Sequence, residues 1–168
     1  NSPRRQRQMC IRDRINPNYA NAEEVILGGG CFWCLEHDLE SQQGVYSVKS
    51  GYSGGDLKNP TYENHSGHQE VVLVDYDPKL VNLTAILRLY LRNVDPFDGD
   101  GQFCDRGDSY RPVIFFNDSN GENEAKSALI SASKELKVPL KKISVEIKSK
   151  SQFWLAEDYH QDFAERNE

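Results

Sequence analysis

Residues 25–34 read VILGGGCFWC, so two cysteines follow a short apolar run and three glycines. The apolar run predicts a strand and the residues after the glycines predict a helix, with the glycines forming the turn between them. At the first turn of a helix, unpaired backbone N–H groups and the helix dipole favour an anion. We therefore expect the pKa of Cys31 to be lowered. Because the thiolate is the nucleophilic form of cysteine, Cys31 is the predicted nucleophile.

Outward from this segment, the hydrophobic pattern predicts a regular succession of strands and helices. The predicted strands cover residues 23–27, 45–52, 70–76, 111–116 and 142–148, and the predicted helices cover residues 32–42, 83–93, 122–136 and 152–164. The order β-α-β-β-α-β through residue 116 predicts an α+β fold with a ferredoxin-like split core. An additional C-terminal α-β-α segment follows that core.

Composition limits the classes of protein to consider. The chain has 168 residues, the size of one domain, and a formal net charge of -6, which argues against nucleic acid or an anionic membrane surface as partner. It holds no apolar run near the ~20 residues that cross a bilayer. Four cysteines are too few for a disulfide-stapled secreted scaffold, so we expect a reducing compartment, the cytoplasm.

The two ends of the chain differ from the middle. Residues 1–22 contain five arginines and little periodic apolar content, which predicts a flexible or non-native tail, and we assign no chemistry to Cys10. The catalytic domain is then expected over residues 23–168. Glu168 follows a predicted helix with no capping glycine or proline, which is typical of a truncated C-terminus.

The Cys31–Cys34 pair has several interpretations. Each cysteine could be a small buried hydrophobe. A structural zinc site needs four ligands, usually as two close pairs, and the remaining candidates form no second pair: Cys104, His65, His68 and His160. A thioredoxin-like redox motif fits the spacing, but the large residues between the cysteines are better suited to gripping a substrate.

At this point the chain resembles the A-type peptide methionine sulfoxide reductases, because several separate motifs of that family occur in order. They are GCFWC at 30–34, GYSGG at 51–55, NPTY at 59–62, GHQEVV at 67–72, YDP at 76–78, CDRG at 104–107, SYR at 109–111 and AEDYHQ at 156–161. The resemblance covers residues 23–163. It implies reduction of the S epimer of methionine sulfoxide, free or in peptides and proteins, and its fold is similar to the core predicted above.

The resemblance also implies a role for individual residues. Cys31 matches the nucleophile that attacks the sulfoxide and is left as a sulfenic acid. Glu70 matches the acid that protonates the sulfoxide oxygen, which near pH 7 requires burial to raise its pKa. Tyr62 and Tyr110 match two phenols that hydrogen-bond this oxygen.

Three further residues match the substrate-binding site of the family. Phe32 and Trp33 correspond to the apolar pocket around the substrate methyl group, and Asp105 to the acidic residue beside it. Asp158 and His160 are expected to support the site or to cap the terminal helix.

Recycling of the sulfenic acid is open between two cysteines. Cys34 lies three residues after Cys31, which on a helix places the side chains about 5–6 Å apart, within disulfide reach. Cys104, next to Asp105, is the second candidate. The resemblance implies an intramolecular disulfide reduced by an external reductant, thioredoxin or dithiothreitol, with no bound cofactor or metal, and we expect a monomer.

Two other functions remain in competition with sulfoxide reduction. A disulfide oxidoreductase would use Cys31 and Cys34 directly and would need neither Glu70 nor the two phenols. A ferredoxin-like binding domain without catalysis would have no use for a reactive Cys31. His65 and His68 suggest a metal site, but a pair of loop histidines without a third ligand predicts one only weakly.

Overall fold

The structure is a computed structural model that describes residues 21–167. Its strands are β1 (Glu23–Gly28), β2 (Val45–Ser53), β3 (Gln69–Tyr76), β4 (Gly101–Gln102), β5 (Asp105–Arg106), β6 (Val113–Phe116), β7 (Glu146–Ser149) and β8 (Trp154–Leu155). Its helices are α1 (Phe32–Glu40), α2 (Leu83–Asn93), α3 (Ser119–Leu136) and α4 (Phe163–Arg166), and single 3-10 turns occur at Asp108–Tyr110, Leu140–Lys142 and Asp158–His160. Residues 1–20 of the predicted tail, including Cys10, lie outside the described residues.

Six strands form one central sheet in the order β7-β6-β1-β3-β2-β8. Neighbouring strands are antiparallel, except that β6 and β7 run parallel. The main hydrophobic core lies between one face of the sheet and the helices and includes Val72, Leu35, Ile86 and Leu129. A smaller cluster around Val71 occupies the other face. The fold is thus mixed, with a central sheet and four helices among the described residues.

The turn between β1 and α1 brings distant loops to the start of the helix. Gly30 has φ +76°, a left-handed conformation that favours glycine, and a Cβ there would lie 3.0 Å from Cβ of Gln102. The Gly30 amide donates to the carbonyl of Tyr110 at 3.0 Å. The glycines therefore allow the loop before β6 to lie directly against the helix that begins at Phe32.

The predicted final helix over residues 152–164 is wrong. Trp154–Leu155 instead pairs with Gly51 and Tyr52 of β2, and a turn and a short helix follow. The two strands lie so close together that a Cβ on Gly51 would be 2.4 Å from the Trp154 carbonyl oxygen. Tertiary pairing of this kind overrides local helical periodicity. The appended segment is therefore not the predicted α-β-α unit, since its last part is a strand followed by short helical turns.

Most other elements match their predictions, with shifted ends. Helix α3 begins at Ser119 rather than residue 122, because the Asp118 carboxylate accepts from the Gly121 amide and caps it. Strand β7 begins at Glu146 rather than residue 142, because a 3-10 turn occupies Leu140–Lys142. The segment between α2 and β6 contains the small β4–β5 hairpin. None of the helices in residues 21–167 has the length and apolar character of a membrane span.

Candidate active site

Cys31 is the N-cap residue of α1, as predicted, but the environment of its thiol differs from the expectation. The pKa of Cys31 is raised to about 12, by burial first and also by the Glu70 and Asp105 carboxylates, against the lowering effect of the Trp33 amide. The expected lowering of this pKa is therefore wrong, because loss of solvent and nearby carboxylates outweigh the helix terminus. A thiol with this pKa is protonated at neutral pH.

Glu70 lies beside this thiol in a buried position near the start of β3. Its side chain is 1% exposed and Oε1 accepts a hydrogen bond from the Phe32 amide at 3.4 Å. Burial raises the pKa of Glu70 to about 7, against the lowering effects of the Phe32 amide and the Tyr110 phenol. Its second oxygen, Oε2, has no hydrogen-bond partner within the described residues. A carboxyl with this pKa can donate a proton near neutral pH.

Tyr62 and Tyr110 lie on two separate loops, and both are close to Glu70. The pKa of Tyr110 is raised to about 12, by burial first and then by the Glu70 carboxylate. The pKa of Tyr62 is also raised, by burial first and then by Glu70 and Cys31. Both phenols therefore stay protonated and can donate hydrogen bonds to an oxygen held between them.

The two aromatic residues after Cys31 have different exposure. Phe32 is fully buried, whereas Trp33 is half-buried. The Trp33 ring stacks on Phe163 with centroids 3.8 Å apart, and its Nε1–H donates to Nδ1 of His160 at 3.0 Å. His160 thus supports the aromatic cluster, as predicted, while Phe32 lies behind the surface that a substrate can reach.

The two other described cysteines are both exposed. Cys34 and Cys31 line one cavity of about 60 Å³ together with Asp105 and Phe103. Cys104 sits at the turn of the β4–β5 hairpin and is absent from the described lining of this cavity. The geometry thus brings Cys34, Asp105 and Cys31 together and leaves Cys104 at the edge.

Glu157 is a site residue that the sequence analysis did not single out. Its carboxylate accepts from the Tyr52 hydroxyl at 3.1 Å and from the Tyr62 amide at 3.2 Å. The pKa of Glu157 is lowered, because these hydrogen bonds outweigh its partial burial. The available signal was its position in the AEDYHQ motif at 156–161.

The two loop histidines contact mainly backbone groups and do not face each other. His68 accepts from the Gly55 amide at 3.1 Å and contacts the Leu57 carbonyl at 2.7 Å. His65 contacts the Tyr62 carbonyl and the Ser109 hydroxyl. Within residues 21–167 the cluster of possible metal ligands is a different one, Glu36, Glu40 and Asp162. The suggestion of a metal at the two histidines is therefore not supported by their contacts.

Comparison with known proteins places this geometry in a family. Residues 23–168 match the family model described as peptide methionine sulfoxide reductase. The chain belongs to the peptide methionine sulfoxide reductase family. It is 47% identical over 149 residues to the peptide methionine sulfoxide reductase MsrA 2 of Caulobacter vibrioides, covering 86% of this chain and 74% of that protein.

Two further proteins that the chain resembles differ from it in length or share less of its sequence. Peptide methionine sulfoxide reductase MsrA/MsrB of Vibrio cholerae is 43% identical over 91% of this chain, which spans only 41% of that protein. Mxr1 from Saccharomyces cerevisiae in reduced form superposes with a TM-score of 0.81 at 26% identity, over 88% of this chain and 87% of Mxr1. Mxr1 has also been solved in complex with Trx2, with a TM-score of 0.62 at 20% identity over 86% of each chain.

Proposed function

We propose that this member of the family reduces the S epimer of methionine sulfoxide, free or in peptides and proteins, with thioredoxin as reductant. The observation that carries the proposal is the juxtaposition of Cys31 with the buried Glu70, whose pKa burial raises to about 7. A disulfide oxidoreductase has no need of a buried general acid next to its nucleophile. Family membership supports the same assignment.

In the first chemical step Cys31 Sγ attacks the sulfoxide sulfur, the sulfur–oxygen bond of the substrate breaks, and the oxygen ends on Cys31 Sγ while methionine is freed. Cys31 attacks the sulfoxide as its proton leaves, and Glu70 protonates the sulfoxide oxygen and regains a proton from the thiol. The substrate sulfur is reduced by two electrons to give methionine, and Cys31 is oxidised by two electrons to a sulfenic acid, so atoms and electrons balance. Because the resting thiol is protonated, Glu70 serves as both donor and acceptor of the proton in this step.

The two phenols stabilise charge on the sulfoxide oxygen. Tyr62 and Tyr110 lie close enough to Glu70 for its charge to raise the pKa of each phenol. Donors fixed before the reaction stabilise developing negative charge without reorganisation. Trp33 offers an apolar surface for the substrate methyl group, Phe32 backs it from the core, and Asp105 borders the cavity at Cys31.

Cys34 is the proposed resolving residue and Cys104 the alternative. The Cys34 thiol attacks the Cys31 sulfenic acid, water leaves and a Cys31–Cys34 disulfide forms, which thioredoxin then reduces to two thiols. The position of both cysteines on one small cavity, which does not include Cys104 in its described lining, supports this choice. The complex of Mxr1 with Trx2 supports thioredoxin as the partner.

The proposal also covers the fold class, the domain bounds, the cellular compartment and the oligomeric state. The ferredoxin-like class is supported by the strand order β6-β1-β3-β2 within the sheet, with α1 and α2 as the two connecting helices. Residues 23–168 form the catalytic domain. Three free cysteines among the described residues fit a reducing compartment such as the cytoplasm. A monomeric state stays a prediction.

An assay with separated epimers tests the function. The protein is incubated with dithiothreitol and either S or R methionine sulfoxide, and in parallel with insulin as a disulfide substrate. We expect methionine from the S epimer alone. Reduction of insulin without sulfoxide turnover would instead identify a disulfide oxidoreductase, and inactivity in both assays would favour a binding domain.

A further inference from the structure

We propose that His65 is a positioning residue that joins the loop carrying Tyr62 to the turn carrying Tyr110. This inference rests on the proposed function, since it concerns the two phenols that would hold the sulfoxide oxygen. Tyr62 and Tyr110 are 48 residues apart in sequence and lie on irregular segments, the loop between β2 and β3 and the 3-10 turn Asp108–Tyr110. A direct connection between these segments would fix the spacing of the two hydroxyl groups.

The imidazole of His65 makes this connection through both ring nitrogens. Nδ1 lies 3.0 Å from the Thr61 carbonyl oxygen and 3.1 Å from the Tyr62 carbonyl oxygen. Nε2 lies 2.8 Å from the Ser109 hydroxyl, one residue before Tyr110. Because carbonyl oxygens only accept hydrogen bonds, Nδ1 carries the proton, and in the neutral ring Nε2 accepts from Ser109.

Buried groups also support the His65 ring. His65 stacks on Tyr52 with centroids 4.9 Å apart and an interplanar angle of 17°, and Tyr52 is fully buried. The Tyr52 hydroxyl donates to Glu157, which also accepts from the Tyr62 amide. The backbone of Tyr62 is therefore fixed on two sides, by Glu157 at its amide and by His65 at its carbonyl.

The opposite end of the bridge is also connected to the reaction centre. The Tyr110 carbonyl accepts from the Gly30 amide at 3.0 Å, immediately before Cys31. A shift of the Ser109 segment would consequently move Tyr110 relative to both Tyr62 and the nucleophile. Misplacement of a catalytic group by about 1 Å costs on the order of 10²-fold in rate, so loss of the bridge should slow the chemical step more than it weakens binding.

Amide hydrogen exchange tests the bridge without any requirement for activity. The variants are His65→Ala and Ser109→Ala, with His37→Ala and Ser131→Ala as controls at exposed positions on α1 and α3. We expect Ser109→Ala to raise amide exchange in residues 58–66, although Ser109 is remote from them in sequence. We expect His65→Ala to raise amide exchange both in residues 58–66 and in residues 107–111. Unchanged exchange across the bridge in both variants would overturn the inference.

Single-turnover kinetics then distinguish a positioning role from a general loss of structure. We expect His65→Ala to lower the rate of methionine formation about tenfold, with less than a twofold change in the half-saturating sulfoxide concentration. In a Tyr62→Phe/Tyr110→Phe background the same substitution should cost less than twofold, because the groups it positions are gone. An equal loss in both backgrounds would contradict the inference. If the wild-type protein reduces no sulfoxide, the proposed function fails, while the exchange measurement still decides the bridge.

Discussion

Glu70 accepts a hydrogen bond from the backbone amide of Phe32 at 3.4 Å, which connects the acid on β3 to the first turn of the helix that begins beside Cys31. Acid and nucleophile are thereby held by two rigid elements, a central strand and a helix start. The amide favours the carboxylate, but burial has the larger effect and the net result is a raised pKa. The pH dependence of the first turnover follows from this balance.

The rate of the first turnover should fall as the pH rises through about 7. Glu70 must be protonated to act as acid, and burial raises its pKa to about 7, so the protonated fraction decreases above that pH. Cys31 stays a thiol over this range and adds no opposing limb. Glu70→Gln should be on the order of 10²- to 10⁴-fold slower and lack the decline. Rapid-quench kinetics from pH 5 to 9 measure this, and a wild-type rate that increases throughout would refute the role of Glu70.

The stability of the fold should report the same group. A raised carboxyl pKa in the folded state means that folding is favoured while Glu70 stays protonated, and this contribution is lost as the pH rises from about 4.5 to about 7. The free energy of unfolding of Glu70→Gln should therefore increase relative to wild type across that window. Each pKa unit corresponds to about 1.4 kcal/mol, so the relative change amounts to a few kcal/mol at most. Urea unfolding at pH 4 and 8 provides the comparison, and parallel pH profiles would argue against a perturbed Glu70.

The sequence pattern predicted the strand–helix alternation because each buried face leaves a periodic signal. Helix α2 was predicted with its observed bounds, since its apolar residues recur at helical spacing over the whole Leu83–Asn93 stretch. The C-terminal segment could not be predicted in this way. Its form depends on pairing with Gly51 and Tyr52, about a hundred residues earlier, and on a close approach that only glycine permits.

The candidate site shows the same division between local and distant information. Motif order indicated Cys31, Glu70 and the two tyrosines, and the structure brings all of them near one another. The pKa of Cys31 depended on burial and on carboxylates from distant elements, so the helix position alone predicted the wrong direction. His65 and Glu157 likewise act through contacts with residues that are distant in sequence, so a motif indicates at most their position and not their partners.

Recycling should depend on Cys34 and not on Cys104. Cys34→Ser should release methionine once per molecule and then stop with thioredoxin as reductant, because the sulfenic acid lacks its neighbouring thiol. Cys104→Ser, whose side chain is exposed at the hairpin turn, should keep the steady-state rate within about twofold. Steady-state assays with a thioredoxin system measure both. Full turnover by Cys34→Ser together with arrest of Cys104→Ser would reverse the assignment.

Loss of His160 should affect both stability and substrate binding. Its Nδ1 accepts from the Trp33 indole, and His160→Ala leaves that partly buried donor without a partner, at a cost of about 1–3 kcal/mol. Release of the ring should also raise KM more than it lowers kcat, since Trp33 is proposed to contact the substrate methyl group. Thermal unfolding and steady-state kinetics test this, with His37→Ala, at an exposed position on α1, as the control. A variant with wild-type KM would show that the indole orientation is not set by His160.

The formation of a sulfenic acid on Cys31 is the decisive test of Cys31 as the nucleophile. Cys34→Ser is mixed without reductant with one equivalent of the S epimer in the presence of dimedone, and modified residues are located by peptide mass spectrometry. We expect one methionine released per protein and a dimedone adduct on Cys31, with neither product from Cys31→Ser. Methionine release without modification of Cys31, or with the adduct on Cys104, would contradict it.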